Sequence, residues 1–229
     1  MKRVALVAAA LLGLTSLSFG GDVATLVNLG FSADSAYFMF GFYGLDLGAG
    51  KPYAEIYVVD TKRNDFVRDG VHKGLYAVGL EPGWNPSGAF FKLFTGASGA
   101  ATRYKIDHLQ QGRLIYLSIN GEEGEDALNF RDYKTQDQWE LKLDQKAVEK
   151  DGVTSSSFGI ELVFTSAAGK KSSLKIGNPQ IQRRNVLSYA MRQVIVAPDG
   201  KTVVILVERR ERLGQATGLR YMVETFRLP

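Results

Sequence analysis

Phe31-Ser32-Ala33-Asp34-Ser35-Ala36-Tyr37-Phe38-Met39-Phe40 decides how this chain is read, because Val196-Ala197-Pro198-Asp199-Gly200-Lys201-Thr202-Val203-Val204-Ile205 repeats its plan. Each stretch is a strand end, a tight turn through Asp and an apolar strand. An Asp side chain accepts hydrogen bonds from amides one or two residues on, and the small residue after it tolerates the backbone of a reversal, which is hairpin chemistry. A further strand follows each turn, Ile56-Tyr57-Val58-Val59-Asp60 and Tyr221-Met222-Val223-Glu224-Thr225, at one ungapped offset of 165 residues (199 minus 34). Two strand-turn-strand-loop-strand meanders therefore bracket the chain. If they lie side by side, Phe38, Phe40, Ile56, Val58, Val203, Ile205 and Val223 belong to buried faces.

The rest of the sequence keeps this character: short runs of Val, Ile, Tyr and Phe are punctuated by Gly, Asp, Asn and Pro. Strands are expected over residues 23–29, 36–43, 53–60, 114–120, 127–133, 139–143, 158–165, 173–176, 189–196, 202–208 and 219–226. Trp139-Glu140-Leu141-Lys142-Leu143 alternates strictly, so one face is buried and the other wet. Residues 87–107 differ: Ala89, Phe90, Phe91, Leu93 and Phe94 run without turn residues, and Ala100, Ala101 and Arg103 follow a Gly-rich break, which predicts one or two short helices. Residues 81–88 carry Pro82 and Pro86 and read as loop. Residues 121–126 read as a glycine-and-carboxylate loop and 146–157 as a second polar connection. No segment has the length of an interdomain linker, so residues 21–229 are expected to form a single β-rich domain. The fold class is all-β and antiparallel with a small helical insertion, as propeller-like units or as a β-sandwich.

Met1-Lys2-Arg3, the uncharged run 4–14 and the small residues Ser18 and Gly20 have the layout of a signal peptide over residues 1–20, cut before Gly21. The run is shorter than the roughly 20 residues of a membrane span. With no cysteine the chain lacks disulfides, thiol catalysis, thiolate metal sites and a lipid-attachment site at the cut. A soluble protein in a periplasm or outside the cell is the expectation. Lys+Arg 28 and Asp+Glu 24 become 26 (28 minus 2) and 24 once Lys2 and Arg3 are removed, too even a balance to point to nucleic acid.

The doubled meander resembles the repeat of TolB-type and other WD-like β-propellers, whose blades carry a phrase such as F-S-P-D-G-K-x-L-x-F followed by I-Y-V-x-D. The first copy keeps Phe31, Ser32, Asp34 and the run from Ile56 to Asp60, with Ala33 in place of Pro. The second keeps Pro198, Asp199, Gly200 and Lys201 but ends in Glu224 and Thr225. Over most of its length the chain resembles the bacterial "predicted secreted protein" family, through Gly21-Asp22-Val23-Ala24, Asn28-Leu29-Gly30-Phe31-Ser32 and Tyr53-Ala54-Glu55-Ile56-Tyr57-Val58-Val59-Asp60. That resemblance implies export and no particular activity.

The catalytic patterns are thin. Gly96-Ala97-Ser98-Gly99-Ala100 misses the second Gly of a nucleophile elbow, and His72 and His108 are the sole histidines. Gly48-Ala49-Gly50-Lys51-Pro52 lacks the first Gly and the Ser or Thr of a phosphate-binding loop and reads as a meander loop. Glu122-Glu123-Gly124-Glu125-Asp126 offers oxygen ligands suited to Ca²⁺ but not the spacing that wraps one ion, so a solvated acidic turn is the default. No cofactor and no zincin motif is indicated. Asp132, Asp137 and Glu140 beside Tyr133 and Trp139 are a mixture a sugar site uses, but half-buried strands with charges outward are the stronger reading. Arg183-Arg184 and Arg209-Arg210 with Arg212 form a patch for an anionic partner or protect edge strands, the second reading weighing more. Two functions remain open: a non-catalytic exported module binding an envelope or extracellular protein or glycan, and an exported hydrolase acting on polysaccharide through Asp or Glu.

Overall fold

The computed structural model describes residues 22–81, 83–119, 124–214 and 216–229. The signal-peptide reading, together with Glu122 and Glu123 of the acidic loop, lies outside them. Within them the chain is all-β and antiparallel but for one short parallel pairing, with one helix, in three sheets stacked face to face.

The first meander builds an outer sheet from β2 (Thr25–Ser32), β3 (Tyr37–Asp46), β4 (Lys51–Asp60) and β5 (Asp65–Leu75), with β6 (Ile106–Asp107) added beyond β2. The second builds the central sheet from β13 (Val186–Val196), β14 (Thr202–Leu213) and β15 (Ala216–Arg227), flanked by β1 (Asp22–Val23) beside β15 and β7 (Arg113–Leu117) beside β13. The third sheet, β8 (Ala127–Arg131), β9 (Gln138–Lys150), β10 (Val153–Thr165) and β11 (Lys171–Ile176), covers the other face of the central one, with β12 (Arg183–Arg184) pairing a free stretch of β10. α1 (Ser87–Arg103) lies on the far side of the outer sheet.

Val203, Val204, Ile205, Leu206 and Val207 are all inaccessible to solvent, and their two faces go different ways. Val203, Ile205 and Val207 pack with Trp139, Leu141, Phe158, Ile160 and Leu162 of the third sheet. Val204 and Leu206 pack with Phe31, Phe38, Phe40, Phe42 and Tyr57 of the outer sheet. A strand covered on both sides needs apolar residues at successive positions, which is why this run does not alternate. Ile56, Val58 and Met39 face the helix instead. All seven residues expected in buried faces are buried, Val223 the most exposed of them at 8%.

Residues 146–157 are not a polar connection. They are the outer half of the β9–β10 hairpin, which runs in unbroken register to the pair Lys150 and Val153 and turns through Asp151 (φ 53) and Gly152 (φ 73) alone. Asp-Gly is the favoured pair for such a two-residue reversal, because both positions need positive φ. The flanking residues are polar because this end projects into solvent, and polarity hid the strand. β5 carries an irregular mixture of charges and was not anticipated. The one or two helices expected over residues 87–107 are a single helix, continuous through Gly96 and Gly99.

Candidate functional site

Three sheet edges converge where the two meanders end. Asp60 caps the β4–β5 turn by accepting the amides of Lys62 (3.1 Å) and Arg63 (2.9 Å), and Asn64 closes it in the left-handed region at φ 53. Asn64 then reaches the edge of β15: its Oδ1 accepts the Thr225 amide at 2.7 Å and its Nδ2 donates to Glu224 Oε2. The Thr225 hydroxyl donates to the Thr61 carbonyl at 2.9 Å. From the third sheet the β11–β12 loop brings Gly177, Asn178 and Ile181 to the same edge, and β12 brings Arg183. These groups line a cleft of about 330 Å³, with Asp65 and Phe66 on its outer-sheet side and Met222 and Val223 on its floor.

Glu224 is its centre. It pairs across the sheet with Ile205, on the face that carries Met222 and Phe226, so a carboxyl occupies an apolar row and is 4% exposed. Burial pushes its pKa above the usual carboxylate range, against the opposing pull of the Asn64 amide and the Arg183 charge. Oε1 has no hydrogen-bond donor among the described residues. A Cβ at Gly177 would stand 3.4 Å from it, and Gly177 has φ 80, so a residue without a side chain serves both the loop and the open approach to this oxygen. Arg183 lies over the rings of Phe158 (5.4 Å) and Tyr189 (6.0 Å), and it forms no ion pair among the described residues.

The residues singled out from the sequence are elsewhere. Asp132 is buried by its ion pair with Arg113 and caps a turn by accepting the amides of Lys134 (2.9 Å) and Thr135 (3.3 Å). Burial acts to raise its pKa, and the Arg113 bond with the two amides outweighs it and holds the group below the usual range. Asp137 accepts the Ala167 amide at 2.8 Å, Glu140 is exposed, Trp139 is core and Tyr133 is exposed. This cluster is turn and core. Ser98 donates to the Thr95 carbonyl within α1, and His108 Nδ1 lies 2.7 Å from the Leu29 carbonyl, so neither is set up for nucleophilic catalysis. Gly48-Ala49-Gly50 is the β3–β4 turn, capped by Asp46. Asp126, in the acidic loop, accepts from Gln145 Nε2 at 3.1 Å, and among the described residues no three His, Asp or Glu side chains gather as a metal would require. Edge protection fails for Arg209, Arg210 and Arg212, since β14 is an interior strand flanked by β13 and β15. It suits Arg183 and Arg184, on a two-residue strand paired on one side only.

Fold and cleft together define an all-β protein of stacked antiparallel sheets with a polar crevice at a shared edge. The chain belongs to the family described as "Predicted secreted protein (DUF2259)", whose model matches residues 39–227. No match is found among curated proteins. No helix of the described residues is long and apolar enough to cross a membrane.

Proposed function

We propose that this is an exported, non-catalytic binding protein, residues 21–229 forming one β-rich domain in the periplasm or outside the cell, and that the Glu224 cleft receives its ligand. One observation carries the reading. A carboxyl group is buried in an apolar row, held by a single amide through one oxygen, with its other oxygen turned to a cleft. Burying a carboxyl costs several kcal/mol unless it is paired, and the fold offers no stabilising return from the unpaired oxygen. Concave sites with apolar walls and a few convergent polar groups are where small ligands and chain ends bind. The test is capture of envelope or extracellular material by the immobilised mature protein and by its Glu224→Gln variant. A specific partner held by the first and released by the second, without turnover, is the expected result. Equal capture by both removes the cleft from the reading.

Asp65 lines the same cleft as Glu224, which keeps a second reading: a hydrolase acting on polysaccharide, with Glu224 as the proton donor and Asp65 as the base. A carboxyl raised by burial suits the donor role. Release of reducing ends from envelope glycans, lost in both Glu224→Gln and Asp65→Asn, would establish it in place of the first.

A further inference from the structure

Resting on that reading, we infer that the ligand carries an ammonium and a carboxylate in one small head group of the amino-acid type, the ammonium meeting Glu224 and the carboxylate meeting Arg183. The two residues line one cleft with opposite charge, yet each is held by other partners, Glu224 by the Asn64 amide and Arg183 by the Phe158 and Tyr189 rings. Arg183 is near enough to act on the Glu224 charge. Its guanidinium is fixed by the faces of Phe158 and Tyr189 and by its Nη1 donating to the Ile181 carbonyl at 3.5 Å, so it keeps donors for a carboxylate. On the other side, Glu224 Oε1 accepts no hydrogen bond among the described residues, and Gly177 leaves the way to it open.

The pattern selects against simpler ligands. A neutral sugar leaves both the buried Glu224 and the half-buried Arg183 unmatched. A cation alone is repelled by Arg183, and an anion alone by Glu224 and Asp65. A zwitterion satisfies both groups at once, in a crevice where water competes poorly and charge pairs are correspondingly strong. Asp65, exposed at the rim with its Oδ1 accepting the Phe66 amide at 2.8 Å, adds negative charge around the ammonium. Val59, Phe66, Ile181 and Met222 supply apolar wall for an aliphatic substituent. The head group belongs equally to a free amino acid and to a longer envelope molecule ending in one.

Calorimetric titration of the mature protein tests this with L-leucine, with its half-ligands isoamylamine and 4-methylpentanoate, and with glucose as the neutral probe. Nε-acetyl-lysine stands for a head group carried on a tether. Leucine or Nε-acetyl-lysine should bind at least tenfold more tightly than either half-ligand, and the tighter of the two identifies the source. Glu224→Gln and Arg183→Gln should each weaken that binding at least tenfold, with Arg183→Lys retaining part of it. Near-ultraviolet circular dichroism of each variant separates lost contacts from lost fold. A half-ligand that binds as well as the zwitterion, zwitterion binding indifferent to both variants, or no heat from any charged probe overturns the inference. Capture of a partner that still depends on Glu224 would then leave the cleft as a binding site for another chemistry, so the two failures are distinguishable.

Discussion

The backbone N–H of Asp199 donates to Ser35 Oγ at 3.2 Å, joining the two Asp-centred turns from opposite ends of the chain. Each turn is internally closed by its Asp: Asp34 Oδ1 accepts the Ala36 amide at 3.1 Å, and Asp199 Oδ1 accepts those of Lys201 (2.9 Å) and Thr202 (2.8 Å). The matching phrases thus pack turn against turn at one end of the outer and central sheets.

Ser35 is 1% exposed with φ 58, so two demands meet on one small residue. Ser35→Ala removes the acceptor for the Asp199 amide and should cost about 1 kcal/mol. Ser35→Val should cost more, since a β-branched side chain is an outlier at positive φ. Urea unfolding followed by circular dichroism gives both values. Equal stability of the alanine variant and the wild type would mean the two turns are held by their strands alone.

A second buried tie lies within the central sheet. Arg192 Nε meets Glu208 Oε2 at 2.6 Å, its Nη2 meets Oε1 at 3.1 Å, and its Nη1 donates to Ser118 Oγ at 3.0 Å. Both side chains are under a tenth exposed. Breaking a buried pair strands the surviving charge, so Glu208→Ala should lose about 3–5 kcal/mol, whereas replacing both partners by apolar residues is far milder. The Arg192→Met, Glu208→Leu double variant should therefore melt above Glu208→Ala. A double variant no more stable than the single one would refute the stranded-charge account.

Of the three exposed glycines in α1, Gly96 and Gly99 lie in its interior, and a Cβ built at either meets nothing within 4 Å. Each costs the helix conformational entropy without serving a close approach, so Gly96→Ala and Gly99→Ala should each stabilise by up to about 1 kcal/mol. Scanning calorimetry should show both melting temperatures rising. A fall at either position would show that the glycine is needed for something other than helix geometry.

What was legible in the sequence followed from local chemistry. Asp34 and Asp199 announce turns whatever surrounds them, and alternation in Trp139-Glu140-Leu141 announces a half-buried strand. The β9–β10 extension was hidden because Lys146, Glu149 and Lys150 face water on both sides, leaving no apolar row. Its one clear signal was Asp151-Gly152. Asn64, Gly177 and Glu224 are far apart in the chain, and only the stacking of the sheets brings them together. Yet one sign of the cleft was visible: the second meander departs from the propeller phrase at Glu224 and Thr225, the residues Asn64 holds. Asp132, Asp137 and Glu140 read correctly as strand and turn residues in preference to a sugar site, because proximity in sequence, with aromatics nearby, is equally what a capped turn between two strands produces.

Glu224 gives the last prediction its sign. Its pKa is raised in the folded protein because burial disfavours the charged form, so the folded state holds the proton more tightly than the unfolded chain does. Its contribution to stability is fully present below the unfolded carboxylate pKa and is lost as pH rises through the folded value. Above the folded value the wild type therefore carries a destabilising buried charge that Glu224→Gln lacks, while glutamine keeps an oxygen to accept from Asn64. The variant should be more stable than the wild type at pH 7, and the difference should shrink as pH falls through the folded pKa into the carboxylate range. Asp199 runs the opposite way. Burial acts to raise its pKa, but the amides and hydroxyl of the Thr202 turn and the Arg227 charge outweigh it, so its stabilisation is lost as pH falls through its lowered folded value. Paired urea titrations of wild type, Glu224→Gln and Asp199→Asn between pH 3 and 8 (roughly the window spanning carboxylate titration) check both signs. A Glu224→Gln advantage that stays constant across the range would show that the carboxyl is not the group being titrated.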